Sequence, residues 1–192
     1  MLKLRMNTLL RAEFLRREDG SVAIETVILL PMLFWAYLSM FSIFDAFRQY
    51  SINQKAAFTI SDMISRETLP IDNAYMDGAQ DLLDYMTRSR GDVSLRVSVV
   101  TFDANRDIYK RDWSQTRGTA QPLTNNDVRD WHGKLPVLAH NDRLVLVETW
   151  TDYDPPFNTG LEDRVIRNFV FTRPRYAPRV LWDPGNAAAG GV

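Results

Sequence analysis

The chain contains no cysteine and only two histidines among its 192 residues. The missing cysteines exclude disulfides, thiolate metal sites and thiol nucleophiles, so any folded domain must be held together by its core alone. An excess of charge of either sign is also missing, because 23 Lys and Arg residues oppose 24 Asp and Glu residues. A net charge of −1 gives no overall excess of positive charge for binding phosphates, which argues against a nucleic-acid partner.

Charge is absent altogether from residues 26–44, a run of nineteen residues. A helix of that length extends about 28 Å, close to the ~30 Å thickness of a bilayer core. The run predicts one membrane-spanning helix over residues 21–44, and Pro31 is expected to kink it. A buried helix of a soluble protein is the alternative, but such helices rarely run this far without a polar face.

Cations flank this span unequally, with five before it and two within a similar distance after it: Lys3, Arg5, Arg11, Arg16 and Arg17, then Arg48 and Lys55. The positive-inside rule therefore predicts residues 1–20 as a basic cytoplasmic leader and places everything beyond about Asp45 across the membrane. A cleaved secretory signal is the alternative. Its apolar region would be about 7–15 residues long and would end in an A-x-A-like site, which residues 39–42 match poorly.

Two helices are predicted after the span. Apolar residues recur at the helical period over residues 45–68, which predicts an amphipathic stalk that continues the membrane helix. A second helix is expected over residues 72–90, capped by Asp72 or Asn73 and ended by Gly91.

An antiparallel sheet is predicted to follow. From residue 93 apolar residues alternate with Ser94, Arg96 and Ser98, which predicts a strand with one wet face. A return strand over 108–115, a short helix within 124–132, and strands over 144–151 and 164–172 come next. The predicted fold class is α+β: a long N-terminal transmembrane helix, its stalk, and a small antiparallel-sheet head over residues 69–176. Residues 177–192 are expected to form a flexible tail.

A single carboxylate stands at the start of the apolar run. The basic leader ends in Asp19 and Gly20, Ser21 follows as a small residue, and Glu25 lies five residues after Gly20. An acid in hydrocarbon is costly without a partner, so a functional role is the default expectation. Two ordinary explanations compete with it: Glu25 as a helix-terminal acid that reaches the headgroups, and Gly20 as a flexible break before the helix.

This arrangement resembles the type IV pilin-like proteins, and most closely the TadE-type minor pseudopilins of tight-adherence pilus systems. The residues that carry the resemblance are Asp19, Gly20, Ser21, Glu25, Leu30 and Pro31. The resemblance covers residues 14–50 and extends to the head only in its general pilin-like architecture.

The resemblance implies a non-enzymatic, single-pass protein of a bacterial inner membrane that assists assembly of a tight-adherence (Flp-type) pilus. A prepilin peptidase would cut between Gly20 and Ser21 on the cytoplasmic side, and the C-terminal domain would be periplasmic. Glu25 would pair with a new α-amino group, its own or a neighbouring subunit's, and set the register between helices. The implied partners are the peptidase, other pilin or pseudopilin subunits with their assembly machinery, and the lipid bilayer. An uncleaved, signal-anchored periplasmic scaffold or binding module is the alternative.

No catalytic constellation accompanies these features. His132 and His140 are not spaced as a metal pair, and Asp152 and Asp154, which precede a Pro-Pro loop, are more typical of turns than of a calcium site. The sequence contains neither a Gly-rich phosphate loop nor a G-x-S-x-G elbow. We therefore expect no enzyme activity, no cofactor and no metal.

Overall fold

Helices precede strands in the computed structural model, which describes residues 19–89 and 91–185. Helix α1 (Asp19–Ser65) is 47 residues long, and α2 (Asn73–Thr87) follows it. Within the described residues the sheet has four strands: β1 (Val93–Asp103), β2 (Ile108–Arg117), β3 (Arg143–Tyr153) and β4 (Arg164–Thr172). A one-turn helix, α3 (Asn125–Val128), and a 3-10 turn (Trp131–Gly133) interrupt the β2–β3 connection. The predicted α+β class, with a long apolar N-terminal helix and a small antiparallel sheet, is confirmed.

The strands pair in the order β2-β1-β3-β4, and every pair is antiparallel. Strand β4 has the predicted bounds, whereas β2 and β3 each extend two residues further than expected at their C-terminal ends. The β1–β2 register shifts between Val99 and Val100, which marks a bulge.

The described chain divides into two compact units. The first, which we call the helix unit, comprises α1 up to Phe44 together with the loop Pro156–Leu161. The second, the sheet domain, comprises Asp45–Pro155 and the residues from Glu162 onward.

One face of the sheet is covered by helices. Ala56, Ile60 and Ile64 recur at helical spacing in the second half of α1 and are fully buried. They join one apolar cluster with Leu83 of α2 and with the odd-numbered residues of β1, such as Val97. The second half of α1 is therefore a helix with a buried apolar side, and it ends at Ser65, three residues before the predicted end of the stalk. The Ser65 carbonyl accepts a hydrogen bond from the Arg175 N–H at 2.8 Å.

The other face of the sheet is not wet, which corrects the prediction for β1. Even-numbered Val100 and Phe102 are buried in a second apolar cluster. The connection between β2 and β3 covers this face with Leu123, Val128, Leu135 and Leu138. Of the polar residues predicted to face water, Ser94 and Ser98 are also buried, and their hydroxyls hydrogen-bond Thr119 and Ser114 at 3.1 and 2.7 Å.

Helix α2 begins as predicted and ends early. Asp72 is its N-cap and accepts a hydrogen bond from the Tyr75 N–H at 2.8 Å. The helix stops before Gly91 because Arg88 adopts the left-handed conformation (φ 48°) and its N–H bonds the Asp84 carbonyl at 2.8 Å. Arginine rarely takes this conformation, so the sequence carries no signal for the stop.

The segment after β4 differs from the flexible tail expected over 177–192. Residues up to 185 are described, and Ile71 forms a parallel bridge with Trp182, its N–H donating to the Leu181 carbonyl at 2.8 Å. Val180 is buried in the first core cluster, and its carbonyl accepts a hydrogen bond from Trp113 Nε1 at 2.9 Å. Residues 186–192 lie outside the described residues.

Candidate functional site

The first half of α1 exposes an apolar surface on all its sides. Val27, Ile28, Leu29 and Leu30 make one complete helical turn, and all four side chains are exposed. The most apolar window of the helix has a mean hydropathy of 2.1 and is 6% buried. This segment is therefore long and apolar enough to cross a membrane. A core helix of a soluble protein is mostly buried, and this segment is not.

The hydroxyl groups in this half of α1 bond back to the helix itself. Thr26, Ser39 and Ser42 donate to carbonyls four residues earlier, at 2.7, 2.9 and 3.0 Å. Such bonds satisfy the hydroxyls without an outside partner, which suits a hydrocarbon environment. Helix α1 runs through Pro31, and the predicted kink there stays a prediction.

The three predicted site residues lie at the N-terminal end of α1. Gly20 and Ser21 are in its first turn, and Glu25, whose side chain is exposed, follows one turn after Ser21. The i, i+4 spacing places positions 21 and 25 on the same face of the helix, about 6 Å apart along its axis. Glu25 is the one charged residue between Asp19 and Asp45. The leader residues 1–18 lie outside the described residues.

The opposite end of the apolar run has a polar contact that sequence analysis missed. Asp45, the first charged residue after the run, accepts a hydrogen bond from the Tyr153 hydroxyl at 3.2 Å. Burial and the Asp45 carboxylate raise the pKa of Tyr153 to about 12. The two residues are 108 positions apart, and nothing in their local sequence predicts that they meet.

The loop after β3 contains a second contact that sequence analysis missed. Phe157 lies edge-on to Phe41 of α1, with ring centroids 5.8 Å apart and planes at 67°. One residue further along the helix, Ser42 is fully buried, although most of its neighbours in the apolar run are exposed. The sequence predicts this segment as a loop and gives no signal for the helix contact.

The weaker metal and catalytic candidates do not come together. His132 Nε2 lies 3.2 Å from Asp107 Oδ1, while His140 Nδ1 accepts a hydrogen bond from the Ala104 N–H at 3.2 Å. Asp152 and Asp154 line a cleft of about 360 Å³ with Asp163 and Arg164. Among residues 19–89 and 91–185, no three His, Asp or Glu side chains are grouped to hold a metal ion.

Comparison with known proteins finds no matching family model, no matching curated protein and no matching solved structure. The resemblance to TadE-type pseudopilins therefore stays a prediction, carried by the residues around Gly20 and Glu25.

Proposed function

We propose that this protein is a non-enzymatic minor pseudopilin that helps assemble a tight-adherence pilus. In this proposal α1 anchors it in the bacterial inner membrane, and the sheet domain lies on the periplasmic side. A prepilin peptidase removes the leader between Gly20 and Ser21. The single observation that carries the proposal is the exposed apolar surface of α1, which has one carboxylate, Glu25, near its N-terminal end, five residues after Gly20.

The length of the apolar run supports a membrane role for this surface. From Glu25 to Phe44 the helix extends about 28 Å, which matches the ~30 Å bilayer core. Glu25 would then lie at one boundary of the core and Asp45 just outside the other. A carboxylate at the boundary is costly to bury alone, but less so beside an ammonium group.

Cleavage would supply that ammonium group at the position where it is needed. The new α-amino group would belong to Ser21, one helical turn from Glu25 and on the same face. Because the Glu25 side chain is exposed, the amino group of a neighbouring subunit's helix is the alternative partner in this proposal. Either pairing compensates the charge of Glu25 at the membrane boundary and favours one axial register between helices.

The length of the native protein tests the proposal directly. Mass spectrometry of protein isolated from its own cell is expected to show a chain that begins at Ser21. A Gly20→Val variant is expected to keep the leader, while Gly78→Ala, in a helix position with nothing within 4 Å of its added Cβ, is expected to be shortened normally. An intact leader in cells with active peptidase would refute the proposal and leave an uncleaved, membrane-anchored scaffold as the function.

The role of Glu25 has its own test. Glu25→Gln keeps the shape of the side chain and removes its charge, so we expect normal membrane insertion but loss of most surface pili in electron micrographs. Glu162→Gln changes an exposed acid of the sheet domain and is the matched control. Unaltered piliation in Glu25→Gln would contradict the pairing with an amino group.

A further inference from the structure

The loop Pro156–Leu161 belongs with the apolar half of α1 and not with the strands that flank it in the chain. Phe157 contacts Phe41 edge-on at 5.8 Å, a geometry that aromatic pairs favour. The loop therefore has a defined place along the helix, beside Phe41.

Phe41 lies just inside the end of the apolar run. It precedes Phe44 by three residues, which is about 4.5 Å along the helix axis. Helical side chains lean toward the N-terminus, so the Phe41 ring lies deeper than its backbone. A span over residues 26–44 would place the Phe157 ring at the depth where acyl chains meet headgroups.

The composition of the loop suits that depth. Residues 155–161 carry no charge, while Asp154 and Glu162 flank them on either side. Phe157 remains 40% exposed despite its contact with Phe41, so part of its ring still faces the surroundings. Asn158 and Thr159 are polar but uncharged, as interfacial segments tolerate, and Phe157 supplies an apolar anchor.

We propose that the loop Pro156–Leu161 inserts into the interfacial layer of the bilayer, with Phe157 packed between Phe41 and lipid. This inference rests on the proposed membrane span of α1. It adds a second point of membrane attachment, encoded far from the span in the chain. In this proposal lipid contacts the exposed side of Phe157, because the loop lies at the membrane boundary and contains no charged residue.

Depth measurement by spin labelling tests the inference, and the absence of native cysteine makes single-cysteine variants clean. Two variants label the loop: Phe157→Cys, and Asn158→Cys, which keeps the Phe157 ring. Phe34→Cys labels the middle of the apolar run, and Phe171→Cys labels the sheet domain. Phe171 is the matched control because it is a phenylalanine of similar exposure, 43%, on β4 of the sheet domain. Each full-length variant carries a nitroxide in phospholipid nanodiscs, and power saturation compares collisions with oxygen and with a water-soluble nickel chelate.

The oxygen-to-nickel ratio at positions 157 and 158 is expected to exceed that at 171 by about twofold or more and to stay below that at 34. Equal ratios at 157, 158 and 171, with a deep label at 34, would overturn the loop inference and leave the span intact. A water-accessible label at 34 would overturn the span and the loop inference together. Low collision rates with both reagents at 157 and 158 would show contact with protein, such as a second copy, and would also overturn it.

Discussion

Arg96 and Glu148 form an ion pair on the sheet face that the β2–β3 connection covers, and breaking it is expected to be costly. Arg96 Nε donates to Glu148 Oε2 at 2.6 Å, and the two side chains are only 15% and 12% exposed. The guanidinium also donates to the Gln121 carbonyl at 2.8 Å and lies 5.0 Å from the centre of the Trp150 ring.

Arg96→Ala leaves the Glu148 carboxylate in a largely dry site without its cation. The loss of a partner from a buried pair costs about 3–5 kcal/mol, and the residual exposure of both groups favours the low end. The Gln121 hydrogen bond and the Trp150 contact add about 1 kcal/mol each. We therefore expect Arg96→Ala to lower the free energy of unfolding by about 5 kcal/mol in all. The double change Arg96→Met with Glu148→Leu removes both charges and is expected to stay within about 1 kcal/mol of the native value.

Guanidinium unfolding of the full-length protein in detergent, followed by tryptophan fluorescence, measures these differences. The control is Arg66→Ala, because Arg66 pairs with Asp62 on the surface at 2.8 Å with 51% and 41% exposure and should contribute less than about 0.5 kcal/mol. A loss below about 1 kcal/mol for Arg96→Ala would refute the reasoning. A double variant as unstable as the single one would refute it too, since the penalty could not then come from an unpaired charge.

Backbone geometry, proton binding and packing each give a further prediction. Gly118→Ala is expected to destabilise the fold by about 2 kcal/mol in the same assay, because φ is +77° and the new Cβ would meet strand β1 at under 3 Å, whereas Gly78→Ala should be neutral or stabilising. The pKa of Tyr153 is raised to about 12, above its ordinary value of 10 in the unfolded chain, so its contribution to the free energy of unfolding should be intact below pH 10 and fall between pH 10 and 12. Tyr153→Phe has no hydroxyl to titrate or to bond Asp45, so its free energy of unfolding should fall less steeply in that window. Val180→Ala should cost about 2 kcal/mol and increase proteolysis of the C-terminal segment, because this side chain is 2% exposed; an unchanged proteolysis rate would argue against its packing.

The sequence predicted those parts of the fold that depend on local periodicity. Strand β4 matches its predicted bounds, and Asp72 caps α2, because alternation and capping are properties of neighbouring residues. The covering of the second sheet face was not predictable in this way. The residues that cover it, Leu123 and Leu138 among them, are scattered through an irregular connection that has no period to detect.

The residues of the candidate site also divide into those that the local sequence predicts and those that only the fold brings together. Gly20, Ser21 and Glu25 are close in sequence, so their conjunction with the apolar run is recognisable from the order of the residues alone. Phe157 is not recognisable in that way, because its partner on α1 comes from a distant part of the chain and the loop between β3 and β4 has turn chemistry of an ordinary kind. An exposed phenylalanine in a loop is common and uninformative by itself. It becomes informative only because the helix it contacts is apolar and exposed, so the proposed membrane role of the loop depends on the fold as well as on the sequence.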